Sequence, residues 1–193
     1  SGTYNVSVYE NVEGTQYASV LSQTIQVSIT DEFGAFLYPN QFVNFTASSL
    51  AVQKGSELAY YCNNDTEVVE SVYNYIISNF KYDYDKAKNV KSGYIPDIDK
   101  VFTEKTGICF DYASVMAAML RSQSIPTRLE VGYAGDEYHA WISTYIKDKG
   151  WINGIIEFNG KDWNMLDPTF ASTSSSPKDF IAKDSDYIVK YVY

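Results

Sequence analysis

The sequence predicts an α+β fold: a helix carrying a cysteine, packed on an antiparallel sheet, with a β-rich N-terminal extension. Three observations lead there. Residues 1 to about 50 alternate apolar and polar side chains in the manner of strands. Two later segments repeat apolar residues at helical steps, and the chain beyond residue 126 again reads as strands. The 193 residues fit one domain with an extension. The expected division is an extension over residues 1–50 and a main domain over 51–193.

Each element has its own signal. Tyr4, Val6 and Val8 fall on one strand face, as do Ile25, Val27 and Ile29. Phe42-Val43-Asn44-Phe45-Thr46 is a third strand candidate after the break at Pro39. A helix then starts at Asn64 or Asp65, which cap it, with Glu67 adding negative charge to the first turn. Val69, Val72, Tyr73, Ile76, Ile77 and Phe80 make its apolar stripe. Residues 81–106 are polar and turn-rich and read as a long connection, a length that favours a functional loop. A second helix runs from about Cys109 to Ser122, with Ala113, Met116, Ala117 and Leu120 on its stripe, and Ile125-Pro126 stops it. Strands follow over 128–133, 139–146, 151–158 and 163–166. Asn159-Gly160 marks a hairpin turn. Residues 172–177 form a polar loop, followed by a helical turn near 179–183 and a closing strand over 187–193.

Composition removes several function classes. With 24 acidic and 15 basic side chains the net charge is −9, which disfavours nucleic acid, because phosphate binding needs clustered Lys and Arg. It also disfavours anionic membrane surfaces. No run of apolar residues is long enough for a membrane span, so no membrane insertion is expected. The first residues lack the basic and apolar regions of a signal peptide, which suits a mature chain whose signal is gone. Two cysteines, Cys62 and Cys109, make no disulfide framework. One histidine with two distant cysteines cannot complete a four-ligand zinc site. No metal or other cofactor is expected. Asp83, Asp85, Asp97 and Asp99 lack the spacing of a calcium loop and read as a solvated acidic surface.

Taken singly, a cysteine is a small buried apolar residue, a lone histidine a surface or core residue, and an Asp before Pro a turn former. Context sharpens the reading. Cys109 stands where a glycine-containing loop enters a helix, and free N–H groups at a helix start stabilise a thiolate. A thiolate nucleophile needs a proton partner, and His139 is the sole histidine. The imidazole needs a third group to orient it, and Asp167 closes a later strand before Pro168. Cys62 has no comparable setting. A Cys62–Cys109 disulfide is the rival reading of that pair.

Gly107-Ile108-Cys109-Phe110-Asp111-Tyr112-Ala113 resembles the Gly-x-Cys-x-Asp-Tyr-Ala signature of bacterial transglutaminase-like domains. Leu120-Arg121 with Ser124-Ile125-Pro126-Thr127-Arg128 resembles the family's Leu-Arg and Gly-Ile-Pro-x-Arg segments. His139-Ala140-Trp141 matches its His-Ala-Trp, and Trp163-Asn164-Met165-Leu166-Asp167-Pro168-Thr169 its Trp-x-x-x-Asp-Pro-Thr. The likeness covers about residues 65–170. It implies a papain-like core and a triad of Cys109 as nucleophile, His139 as general base and acid, and Asp167 as orienting carboxylate. Ser124 stands where the family has Gly. Phe110 and Ile108 replace the Trp and Gln that flank the nucleophile of animal cross-linking enzymes.

The expected chemistry is acyl transfer from a peptide or isopeptide amide to the thiol, with a protein or peptide as substrate. Backbone N–H groups, including that of Cys109, would hold the oxyanion. Tyr94, in the loop ahead of the nucleophile, is a candidate second donor. Asp111 reads as a first-turn carboxylate bound to helix N–H groups, and Trp141 and Trp163 as packing around the triad. Transfer to water makes a cysteine peptidase, the preferred reading. Transfer to an amine makes a protein-glutamine cross-linking transferase. A non-catalytic cell-envelope binding domain is a further alternative. Abundant Tyr, Ser, Thr and Asn with a β-rich lead-in suggests an extracellular or cell-surface protein. The oligomeric state is not legible.

Overall fold

The computed structural model describes residues 1–134, 136–158, 163–164 and 187–193. They form two compact units, residues 1–32 and 33–193. The first is an antiparallel hairpin of β1 (Gly2–Glu13) and β2 (Gln16–Val27), turning at Gly14 with φ +53°. On one face Thr3, Asn5 and Ser7 hydrogen-bond across to Gln26, Thr24 and Ser22. On the other face Tyr4 lies opposite Ile25, and Val8 opposite Leu21.

The second unit is an α+β domain built around a central helix. Its helices are α1 (Leu50–Ala59), α2 (Asp65–Asn79), α3 (Tyr84–Asn89), α4 (Ile98–Glu104) and α5 (Cys109–Arg121). The two-residue strands β3 (Lys81–Tyr82) and β4 (Thr106–Gly107) pair in parallel. β5 (Thr127–Ala134), β6 (Glu137–Ile146), β7 (Gly150–Phe158), β8 (Trp163–Asn164) and β9 (Tyr187–Val192) form an antiparallel sheet in the order β8-β7-β6-β5-β9.

Helix α5 is the core. Every residue from Asp111 to Arg121 is buried, so its small side chains serve close packing on all sides rather than along one stripe. Helices α1, α2 and α4 pack around it, and β5 and β6 lie against it. At Gly55 of α1 an added Cβ would come within 3.0 Å of the Met119 carbonyl oxygen, so glycine permits the close α1–α5 crossing. Ala140, Ile142 and Ile146 of β6 join the same core, with Leu129 and Val131 of β5. Gly132 permits a second close approach: its Cβ would lie 2.0 Å from the Ile188 carbonyl oxygen of β9.

Helix α2 starts at the expected cap, where the Asn64 side chain accepts the Glu67 N–H. Other elements differ from the sequence reading. Phe42–Thr46 is not a strand; the Asn40 side chain accepts the N–H groups of Phe42 and Val43 and turns the chain there. Helix α1 has weak sequence signals, and its start is held from outside the helix, where Asp99 accepts the Leu50 N–H and the Ser49 hydroxyl. The connection over 81–106 holds two short helices, α3 and α4, whose caps Asp83 and Asp97 accept the N–H groups of Lys86 and Lys100. Two of the four acidic residues read as solvated surface, Asp83 and Asp97, are therefore helix caps, and a third, Asp99, braces the start of α1. The hairpin turn at 159–160, the polar loop at 172–177 and the helical turn near 179–183 lie outside the described residues.

Candidate active site

Cys109 is the first residue of α5, after the N-cap Ile108. The local sequence dictates this start. The Asp111 carboxylate reaches back to accept the Ile108 N–H at 2.8 Å, half of a capping box. Gly107 makes room for it, since a Cβ there would lie 2.7 Å from the Asp111 Cβ and 2.8 Å from Oδ2. The glycine two residues before the cysteine and the aspartate two residues after it are thus one packing unit.

Asp111 is fully buried and fully paired. Oδ2 also accepts from the Lys86 ammonium at 2.7 Å, and Oδ1 accepts the Tyr94 hydroxyl at 2.6 Å. Lys86 Nζ also donates to the Tyr94 oxygen at 2.7 Å. The reading of Asp111 as a first-turn carboxylate holds, with a half-buried cation, the Lys86 ammonium, added to it. Tyr94 is corrected: its proton is given to Asp111, so it does not serve as an oxyanion donor. Burial first, and then Asp111, push the Tyr94 phenol well above the usual tyrosine range.

The thiol of Cys109 receives hydrogen bonds from the backbone N–H groups of Phe110 and Ala140 and from the Tyr82 hydroxyl. All three favour the thiolate. Burial outweighs them and pushes the thiol above its ordinary value, and the Asp111 charge adds to that. A helix N-terminus alone therefore does not make this sulfur an anion at neutral pH. Tyr82 carries no motif signal in the sequence. The β3–β4 pairing sets it opposite Gly107, where its oxygen also accepts the Cys109 N–H. Burial pushes the Tyr82 phenol up to about 12, so it stays a donor at neutral pH.

His139 is buried on β6, one residue before Ala140, and lies opposite Gly132 on β5. Cys109 and His139 both line one cavity of about 670 Å³. Asp167 lies outside the described residues. Trp141 sits in a separate buried network, where its indole N–H and the Ser143 hydroxyl donate to Glu130 at 2.8 Å and 2.5 Å. Its ring meets Tyr187 edge-on. Both cysteines are free thiols, which overturns the disulfide reading. Cys62 donates to the Leu58 carbonyl and sits 3.3 Å from the Ser71 hydroxyl.

Arg121 of α5 is buried with no carboxylate partner among the described residues. Its guanidinium donates to the carbonyls of Thr127, Tyr38 and Tyr193, at 2.9, 3.0 and 2.7 Å. It thereby ties the cavity-lining Tyr193 to α5. Burial lowers the Arg121 pKa to about 10, so the charge persists at neutral pH. Among the described residues no group of three His, Cys, Asp or Glu side chains is placed to hold a metal ion. No helix among them is long and apolar enough to cross a membrane.

Known proteins place this arrangement in a family. The model of the transglutaminase-like superfamily matches residues 55–154, which contain α2 through most of β7. A UPF0252 protein of Methanocaldococcus jannaschii is 30% identical over 110 residues, 49% of this chain and 31% of that protein. A protein-glutamine gamma-glutamyltransferase of Pseudomonas aeruginosa is 27% identical over 108 residues, 47% of this chain and 14% of that one. The structure of a candidate cysteine protease from Cytophaga hutchinsonii superposes with a TM-score of 0.51 and 25% identity, covering 64% of this chain and 41% of that chain. The chain thus spans less than half the length of each of these relatives. The family match covers half of the sequence and the whole helical part of the site, and the chain belongs to the transglutaminase-like superfamily.

Proposed function

We propose that the protein is a thiol-dependent acyl-transfer enzyme acting on peptide or isopeptide amides through Cys109, His139 and Asp167, and that it is a cysteine peptidase. One observation carries the reading. The Cys109 sulfur sits at the start of α5, faces two backbone N–H groups and a hydroxyl, and shares its cavity with the sole histidine. Because burial holds the thiol protonated, the imidazole of His139 has to take the proton. The sulfur then attacks the amide carbonyl. The Cys109 N–H exchanges the Tyr82 oxygen for the developing oxyanion, and the Tyr82 hydroxyl turns its proton to the same oxygen. His139 returns the proton to the leaving amine, and water cleaves the thioester. Asp167 enters through its likeness to the family motif, as the group that orients the imidazole.

Transfer to an amine acceptor is the second reading, favoured by the gamma-glutamyltransferase relative. Incubating the protein with a glutamine-bearing protein, with and without an amine probe, separates the two. Fragments that disappear in Cys109→Ala support the peptidase, and probe incorporation supports the transferase. No reaction with either would overturn both. An extracellular or cell-surface location is part of the proposal and rests on composition.

A further inference from the structure

The cavity has a wall that the chemistry of the thiol does not require. Tyr94, Phe110, Phe42, Tyr193 and Tyr191 line it in an unbroken series of ring contacts. The successive centroid separations are 6.5, 5.7, 4.3 and 6.3 Å. Tyr191 remains 55% exposed, so the series ends at the cavity mouth in solvent-facing ring surface. Exposed aromatic surface continuous with a cavity marks a recognition site.

The wall's shape and charge select its occupant. Each ring step exceeds the rise of about 3.3 Å per residue of an extended chain, so the wall spans several peptide residues. Lys91 is the one Lys, Arg, Asp or Glu among the described lining residues. A sugar platform would need polar groups beside its rings to meet the hydroxyls. Here the lining offers hydroxyls, those of Ser92, Tyr138, Tyr191 and Tyr193, but the Tyr94 hydroxyl is already bonded to Asp111 and Lys86, and no carboxylate or amide side chain, the paired acceptors and donors that grip sugar hydroxyls, lines the cavity among the described residues. Resting on the acyl-transfer reading, we infer that the acyl donor is an extended peptide with an aromatic or large aliphatic side chain within two residues of the reacting carbonyl, seated on the Phe42–Tyr193 wall. Cationic side chains at that position are disfavoured by Lys91.

Calorimetry on Cys109→Ala protein tests this without turnover. The probes are acetyl-Xaa-Gln-Gly-amide peptides with Phe, Leu, Asp or Lys at Xaa, and chitotriose. The Phe and Leu peptides should bind about tenfold tighter than the Lys peptide, and the ratio should fall toward one in a Tyr191→Ser background. Equal binding of all four peptides, or tighter binding of chitotriose, overturns the inference. Iodoacetamide labelling of the unaltered protein reports separately on the thiol. Fast labelling with no peptide discrimination removes the inference and leaves the acyl-transfer reading standing. A sluggish thiol removes that reading, and the inference with it.

Discussion

The Lys86 ammonium lies 2.7 Å from Oδ2 of Asp111, a carboxylate fully withdrawn from water two residues past Cys109. The pair joins α3 to the start of α5 and balances a buried anion two residues from the sulfur. Left unbalanced, that anion opposes formation of a thiolate.

Lys86→Met removes the balancing charge. Denaturant unfolding is expected to show a loss of about 2–4 kcal/mol, since one buried partner is left uncompensated. The pH profile of Cys109 alkylation is expected to move upward, because a nearby like charge raises the thiol pKa. A second change, Asp111→Asn, should return the profile toward its original position. An unmoved profile in Lys86→Met would show that the carboxylate does not act on the sulfur.

Tyr82→Phe deletes the hydroxyl beside the Cys109 N–H and sulfur. Acylation by p-nitrophenyl acetate, which forms an oxyanion, is expected to slow by about 10²-fold or more. Alkylation by iodoacetamide forms no oxyanion and, above the thiol pKa, should change far less. Equal effects on the two reactions would remove Tyr82 from the oxyanion site.

Gly107→Ala places a Cβ within 2.8 Å of the Asp111 carboxylate. The carboxylate must shift and release the Ile108 N–H, at a cost of about 1–3 kcal/mol. Thermal unfolding should register the loss, together with slower alkylation of Cys109. A variant of unchanged Tm and reactivity would contradict the packing account of the Gly-x-Cys-x-Asp spacing.

Arg121→Met leaves three carbonyls without their buried donor, those of Tyr38, Thr127 and Tyr193. A loss of about 2–4 kcal/mol is expected in urea unfolding. Arg121→Lys should recover only part of it, because one ammonium cannot reproduce the planar fork that meets three separate strands and loops.

How much of this was legible in the sequence depends on how local the cause is. Helices α2 and α5 were readable because the cap at Asn64 and the Gly107–Asp111 spacing act within a few residues. The hairpin strands were readable from alternation, and the sheet strands beyond residue 126 were also read as strands. Helix α1 was not, because its start is held by Asp99, about fifty residues away. Helices α3 and α4 were hidden by length: a turn or two leaves no periodicity, and only Asp83 and Asp97 mark their starts. At the site, the motifs drew attention to Cys109 and His139. Tyr82 and Lys86 carried no signal, since the parallel β3–β4 pairing and the buried carboxylate of Asp111 that bring them in are tertiary. Tyr94 was assigned the wrong job for the same reason. Its position ahead of the nucleophile was visible, but the acceptor that takes its proton was not.

On the proposed mechanism His139 makes Cys109 nucleophilic. Iodoacetamide at pH 6, followed by mass mapping of both cysteines, reads this out. Burial raises the thiol, so an unassisted Cys109 holds almost no thiolate at that pH, whereas one paired with an imidazolium holds much more. Fast labelling at Cys109, slow labelling at Cys62, and collapse of the difference in His139→Ala are expected. Slow and equal labelling of both cysteines, unchanged by that substitution, would contradict it.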